Sequence, residues 1–415
     1  MALPKSARGT AEMIPLPEEV RSVIARLEET GAQAWAVGGC VRDSQLGRTP
    51  KDYDVTTSLR PAQVAALFAH VVPSGQRYGT VTVLLDGRPV EVTTFREEGE
   101  YRDARHPSRV AFTASLEADL ARRDFTVNAM AYHPARGLAD PFGGRADLAA
   151  GLLRAVGEPA ARFAEDALRI LRAYRFAAQL DFRLDAPLRA AARECAPRLG
   201  QVSAERKCAE LKRLLTSPRP DWVWVLAEEI GPVCGLPAPA ETQPAGERTG
   251  ARGTWPAENA FPIRMAWALW GLGATAETAQ AALRALRCSN QEIRQTVLLL
   301  RLLESPAPAD TIEAKRLLRR AGPAGAAAYC ALLEHVRPAQ AGPVRALLDA
   351  VLRSDEPYQL SMLALRGDAL APWVPAQERG AALEALLEHV LHHPQDNTQA
   401  ALLRLLRARA KEDSQ

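Results

Sequence analysis

The spacing of apolar residues changes at Glu158-Pro159, and this limits the chain to a mixed α/β beginning followed by an all-helical remainder. Before that point short β-rich runs alternate with helical stretches. Ala34 to Val37 has the length and character of a buried strand, and Gly38-Gly39 turns it into a short helix ending near Gly47. A second strand is expected to begin at Asp52 and to include Val55 to Thr57. Thr80 to Leu85 and Arg88 to Phe95 flank Asp86-Gly87, where both residues tolerate positive φ, so these runs are expected to form a hairpin. After Pro159, Ala, Leu and Arg recur at helical spacing, as in Ile293 to Leu303 and Gln399 to Ala410, without the fixed period of a solenoid. Between Leu236 and Pro256 (LPAPAETQPAGERTGARGTWP) Pro, Gly and small polar residues replace any period, the pattern of a long loop or linker. The expected division is therefore residues 15–157, 158–235 and 257–415.

A chain of 415 residues exceeds one ordinary core, and 47% hydrophobic with 24% charged residues is the balance of a soluble globular protein. The net charge of +3 is small for a nucleic-acid binder, so any RNA contact must come from locally clustered arginines. Cys40, Cys195, Cys208, Cys234, Cys288 and Cys330 have no paired spacing, which favours buried reduced thiols over a zinc site or disulfides. The first residues lack the apolar stretch of a signal peptide, and no run approaches the ~18 apolar residues of a membrane span. A cytoplasmic enzyme with no membrane partner is expected.

In Lys51-Asp52-Tyr53-Asp54-Val55 the two carboxylates at i and i+2 of the expected strand point to one face. Acids so placed can hold Mg²⁺, which prefers a few carboxylates plus substrate phosphates. Alone, Asp-x-Asp is ordinary surface charge. It gains weight from Gly38-Gly39-Cys40-Val41-Arg42-Asp43 just upstream, where glycines allow close backbone approach and the helix start, with Arg42, attracts phosphate. A two-metal site that aligns a 3′ hydroxyl for attack on an α-phosphate calls for a third acid. Glu91 is the candidate, because alternation in Val90-Glu91-Val92 sets it opposite the apolar face and the hairpin can return it beside the first strands.

Six ordered blocks span about 140 residues: GGCVRD (38–43), KDYDV (51–55), EVTTFR (91–96), DLARRDFTVNAMAY (119–132), DPFGGRADL (140–148) and RFAEDALRILRAYRFAAQL (162–180). With a weaker block at 203–215, they resemble the class II tRNA nucleotidyltransferase (CCA-adding enzyme) and bacterial poly(A) polymerase family. The resemblance implies an α/β, polymerase-β-like nucleotidyltransferase head followed by an all-α neck, body and tail that grip tRNA. It implies that Asp52 and Asp54 bind Mg²⁺, that Gly39 and Arg42 contact the triphosphate, and that Arg123 and Asn128 bind the nucleotide. This chain has Glu165-Asp166-Ala167-Leu168-Arg169 where the family usually has Pro at the third position, a change that removes only local stiffness.

Read as one helix, residues 162–178 put Arg162, Glu165, Asp166, Arg169, Arg172 and Arg175 on one half and Ala167, Ile170, Leu171, Tyr174 and Ala178 on the other. Ion pairs from Glu165 and Asp166 to Arg169 would make this a solvated face. The alternative is base recognition. Cytosine and adenine present an amino donor beside a ring-nitrogen acceptor, whereas uracil and guanine present a carbonyl beside an N–H. Asp166 as acceptor beside Arg169 as donor satisfies the first pair and leaves buried groups unpaired against the second. The resemblance gives Glu165, Asp166 and Arg169 this role, with Arg172 and Arg175 near phosphate or base. The implied activity is addition of C and A from CTP and ATP to the tRNA 3′ end, with release of diphosphate. A-only or CC-only addition, poly(A) synthesis and a non-catalytic RNA-binding role are the alternatives, and monomer and homodimer both stay open. The full-length stretch Arg96 to Ser115 speaks against CC-only addition, and the short mixed tail from Arg407 against poly(A) synthesis.

Overall fold

The computed structural model describes residues 14–76, 79–98, 101–103, 106–107, 110–237 and 254–412. The chain divides between Leu236 and Pro237 into two units. The first unit opens with helix α1 (Glu18–Glu28), whose Val20, Val23, Ile24 and Leu27 recur at helical spacing and are buried. Then come β1 (Ala34–Val37), α2 (Gly39–Gln45), β2 (Asp54–Thr57), α3 (Pro61–Leu67), β3 (Val71–Gly75), β4 (Thr80–Leu85) and β5 (Arg88–Thr94). Two ribbons follow, β6 (Arg96–Glu98) with β9 (Val110–Phe112) and β7 (Tyr101–Asp103) with β8 (His106–Pro107). They occupy the Arg96–Ser115 stretch, of which residues 99–100, 104–105 and 108–109 lie outside the described residues. After α4 (Leu116–Ala121), β10 (Ala131–His133) and β11 (Gly137–Ala139) complete a seven-stranded sheet ordered β11-β10-β1-β2-β5-β4-β3.

β1 is buried at every position, as its unbroken apolar run requires. Asp86 and Gly87 both adopt positive φ, 49° and 79°, and close the hairpin between β4 and β5. β2 pairs antiparallel with β1 and parallel with β5. The strand expected from Asp52 starts instead at Asp54, and Asp52 and Tyr53 lie in the segment that leads into it. Trp35, Val37, Phe95, Leu120, Ala129, Ala131 and Val156 form a core against this sheet.

The unit continues through α5 (Gly144–Ala150), β12 (Leu152–Leu153), α6 (Pro159–Glu165), α7 (Leu168–Leu180), β13 (Arg183–Leu184), α8 (Ala186–Cys195), α9 (Ala204–Leu215) and α10 (Trp222–Cys234). β12 and β13 pair in parallel, which ties the α/β part to the helices after Pro159. The helix expected to run unbroken through 162–178 is two helices. Asp166 is extended (φ −144°, ψ 104°), and its Oδ1 accepts the Leu168 N–H at 3.0 Å, so a side-chain bond competes with helix continuation there. Buried residues surround α7, Arg169 and Arg175 included, and α9 and α10 pack on it.

The second unit, as described, is helical: Phe261–Gly271, Ala276–Ala285, Asn290–Glu304, Thr311–Val336, Pro338–Arg353, Arg379–His392 and Gln399–Glu412. Ser289 and Glu292 form a capping box, and the long fourth helix breaks at Gly322 (φ 67°), which precedes Pro323. Buried Lys315 donates to the Leu391 carbonyl at 3.1 Å and pairs with Glu356. Residues 238–253 of the expected linker lie outside the described residues. Five of the six free cysteines are buried, and Cys195 is half-buried. Among the described residues no helix is long and apolar enough to cross a membrane.

Candidate active site

A cavity of about 610 Å³ in the first unit is lined by both aspartates of the KDYDV segment, by Gly38, Gly39 and Arg42, and by side chains from the RRD turn, α7 and α9. Asp54, the first residue of β2, lies opposite Val37 on one side and Glu91 on the other. The parallel pairing of β2 with β5 thus sets Glu91 beside Asp54, as the hairpin implied. Asp52 is exposed and lines the same cavity although it is outside the strand.

Burial pushes the Asp54 carboxyl up to about 6, and the neighbouring Glu91 and Asp52 push it the same way against Arg123. Asp52 and Asp54 open on the cavity, and a divalent cation between them would relieve the repulsion that raises the Asp54 carboxyl. The donor set is all carboxylate, the chemistry of a hard cation. Asp52 and Asp54 could hold it, with Glu91 next to them.

The wall beside these acids is built by glycine, arginine and one amide. Gly38 adopts φ 78° and ψ −125° ahead of α2, a conformation that L side chains rarely take. A Cβ there would also lie 2.8 Å from Arg123 Nη1, so Gly38 admits the close approach of that guanidinium. Arg42 donates from Nη1 to Asn128 Oδ1 at 2.7 Å and from Nε to Asp43 at 2.8 Å. Asn128 donates from Nδ2 to Asp124 Oδ1 at 3.1 Å. The other oxygen of Asp124 accepts from Arg172 Nε at 2.8 Å and Nη2 at 2.6 Å. A hydrogen-bond chain therefore runs Arg42–Asn128–Asp124–Arg172 and links α2 to α7. Burial would raise the Asp124 carboxyl, but Arg172, Asn128 and Arg169 overcome it and hold it well below the usual carboxylate range.

Asp166, Arg169, Arg172 and Arg175 all line the cavity. Asp166 and Arg169 are each held by a different partner: Asp166 accepts from Arg206 Nη2 at 2.7 Å, whereas Arg169 pairs with Glu165 and donates to the Arg122 carbonyl at 3.0 Å. Glu165 does not line the cavity; it binds Arg162 and Arg169 and so braces the latter from behind. Arg175 pairs with buried Glu210 and donates to Gln179 at 2.6 Å. Burial lowers its pKa to about 10, with Glu210 and Arg172 acting in opposite directions. Arg42, Arg172 and Arg175 all lie over the Phe176 ring, at 5.2, 5.3 and 3.7 Å from its centroid.

The cavity contains every residue singled out from the sequence except Glu91, which adjoins it through Asp54, and Arg162 and Glu165, which pair with one another. Sequence reasoning missed Asp124 and Phe176. Asp124 lies four residues before Asn128, and Phe176 lies inside an arginine-rich helix; both signals were local but lacked a partner. Arg206 and Arg213 of α9 also line the cavity.

Residues 34–154 match the family model described as "Poly A polymerase head domain", and residues 181–231 match "Probable RNA and SrmB- binding site of polymerase A". The chain is 40% identical over 300 residues to the CCA-adding enzyme of Geobacillus thermodenitrificans (72% of this chain, 73% of the relative). It is 38% identical over 297 residues to that of Geobacillus stearothermophilus (71% and 73%). Its fold matches the crystal structure of the Bacillus stearothermophilus CCA-adding enzyme in complex with CTP, with a TM-score of 0.80, 32% identity, and coverage of 95% of this chain and 98% of that one.

Proposed function

The chain belongs to the CCA-adding enzyme family, and from that premise we propose that it is a tRNA nucleotidyltransferase that adds C and A from CTP and ATP to tRNA 3′ ends without a nucleic-acid template. The tRNA 3′ hydroxyl gives up its proton to solvent as its oxygen forms a bond to the α-phosphorus of the nucleotide. The bond from that phosphorus to the bridging oxygen breaks, and diphosphate leaves. The observation that carries this reading is that Asp52 and Asp54, with Glu91 paired beside Asp54, line one side of a cavity whose other walls carry arginines. Asp52 and Asp54 fit Mg²⁺, which when bound supplies charge stabilisation at the transferring phosphoryl group. We assign the triphosphate to Gly39, Arg42 and Arg123, with Asn128 holding the Arg42 guanidinium in place.

Base choice falls to Asp166 and Arg169, an acceptor and a donor on the same cavity. A cytosine or adenine amino group satisfies the carboxylate, and the ring nitrogen accepts from the guanidinium; uracil and guanine leave both unpaired. Arg172 and Arg175 add positive charge for phosphate or base, and Glu165 acts by bracing Arg169. A cytoplasmic enzyme accords with this substrate. The test supplies tRNA lacking the CCA end, or ending in C or CC, with Mg²⁺, CTP and ATP, and sequences the products. Completion of CCA on all three is expected, and Asp52→Ala should abolish transfer of both nucleotides. Wild-type products with adenosine alone, or with no added nucleotide, would overturn the reading.

A further inference from the structure

We propose that Arg206 is a positioning residue that sets base selectivity by fixing the Asp166 carboxylate. The inference rests on the assignment of Asp166 to base reading and gives that assignment a second tier. Asp166 sits in the break between α6 and α7, where its backbone N–H donates to the Arg162 carbonyl at 3.4 Å and its own carbonyl accepts from the Arg169 N–H at 3.0 Å. The orientation of its carboxylate depends on its side-chain bonds. Oδ1 accepts the Leu168 N–H at 3.0 Å, and Oδ2 accepts from Arg206 Nη2 at 2.7 Å. The first bond holds the carboxylate to the start of its own helix. The second comes from α9, forty residues further along the chain, and removes the rotation that a single tether leaves. Each oxygen keeps a lone pair for a ligand amino group.

Arg206 and Asp166 are 23% and 19% exposed, so the pair is partly desolvated and firmer than an ordinary surface ion pair. One turn along α9, Glu210 pairs with Arg175 of α7. A single helix thus presents an arginine to the acid of the reading face and an acid to one of its arginines. By contrast, Arg213 on the same helix is 61% exposed and reaches Glu210 only at 3.7 Å. Arg206 is the member of α9 committed to Asp166, and base readout requires a carboxylate that does not turn to suit the wrong edge.

The experiment measures primer extension on tRNA ending in C or CC with each of the four nucleotides, and takes the ratio of kcat/KM for the accepted bases to that for U and G. Variants are Arg206→Ala, Arg206→Lys, Asp166→Ala and the Asp166→Ala/Arg206→Ala double. The ratio is internal to each preparation, so a fraction of unfolded protein does not move it. Arg206→Ala should lower it at least about tenfold, the effect of losing one oriented charged hydrogen bond. Arg206→Lys should recover part of the loss. In the Asp166→Ala background, removing Arg206 should change the ratio no further, because the two act as one unit. Wild-type discrimination in Arg206→Ala, or losses that multiply in the double variant, would overturn this assignment. Unchanged discrimination in Asp166→Ala itself would overturn the base-reading assignment beneath it.

Discussion

Replacing Asp54 by asparagine should stabilise the metal-free protein while abolishing its activity. Burial, Glu91 and Asp52 together raise the Asp54 carboxyl from 3.8 to about 6. The folded state therefore holds this proton more tightly than the unfolded chain does. Its contribution to stability is full below the unfolded value and is lost as pH rises through about 6. A shift of about two units corresponds to roughly 3 kcal/mol, and solvent screening at a half-buried carboxylate reduces this to about 1–3 kcal/mol. The amide of the Asp54→Asn variant carries no charge and does not incur that cost. Urea unfolding of both proteins in chelator should show the variant more stable by about that amount at pH 8, with the gap closing toward pH 4. Adding Mg²⁺ should reverse the order at pH 8, because the ion stabilises only a protein that binds it. No stability gain at pH 8, or a gain that does not change with pH, would refute the account of Asp54 as an acid held at a cost for a cation.

Gly38→Ala should cost about 1–3 kcal/mol from backbone strain at φ 78° and should displace Arg123, so both the unfolding midpoint and the nucleotide KM are expected to worsen. Asp124→Ala should cost on the order of 3 kcal/mol by leaving Arg172 without its counter-charge, read by urea unfolding. In the wild type that contribution is present at neutral pH and is lost as pH falls below the usual carboxylate range, because the folded state depresses the Asp124 pKa. Ala167→Pro should be tolerated and add about 0.4–1 kcal/mol in the same assay. Ala167 has φ −60°, Asp166 before it is extended, and among the described residues no hydrogen bond from the Ala167 amide is found.

The parts of the fold that could be read from the sequence are those dictated by local chemistry. The four apolar residues of β1, the paired positive φ of Asp86-Gly87 and the helix start at Pro159 each follow from neighbours within a few positions. Glu91 could be placed because a tight hairpin and strand alternation together determine which face it takes. The misreadings and omissions have separate causes. Extending the alternation of Asp54 one step too far puts Asp52 in the strand, and β3, β10 and β11 are short segments that acquire strand geometry only from their neighbours in the sheet. The break at Asp166 carries no Gly or Pro; it arises because the Asp166 side chain takes the Leu168 N–H that helix continuation would otherwise order.

The candidate site divides along the same line. Residue types such as two aspartates flanking a tyrosine, or arginines at helical spacing, announce the chemistry. The partner of each charge depends on which helices come to lie side by side. Wheel geometry offers Asp166 a partner three residues on, yet its partner is Arg206 on α9, whereas Glu165 takes the expected Arg169 and also Arg162. Phe176 reads as one more apolar residue of α7 until Arg42 arrives over its ring from α2. The arrangement of charge along this cavity is therefore a property of packing between helices distant in sequence. Substitutions that leave every block of the sequence pattern intact but shift α9 against α7 should relax base choice before they impair phosphoryl transfer.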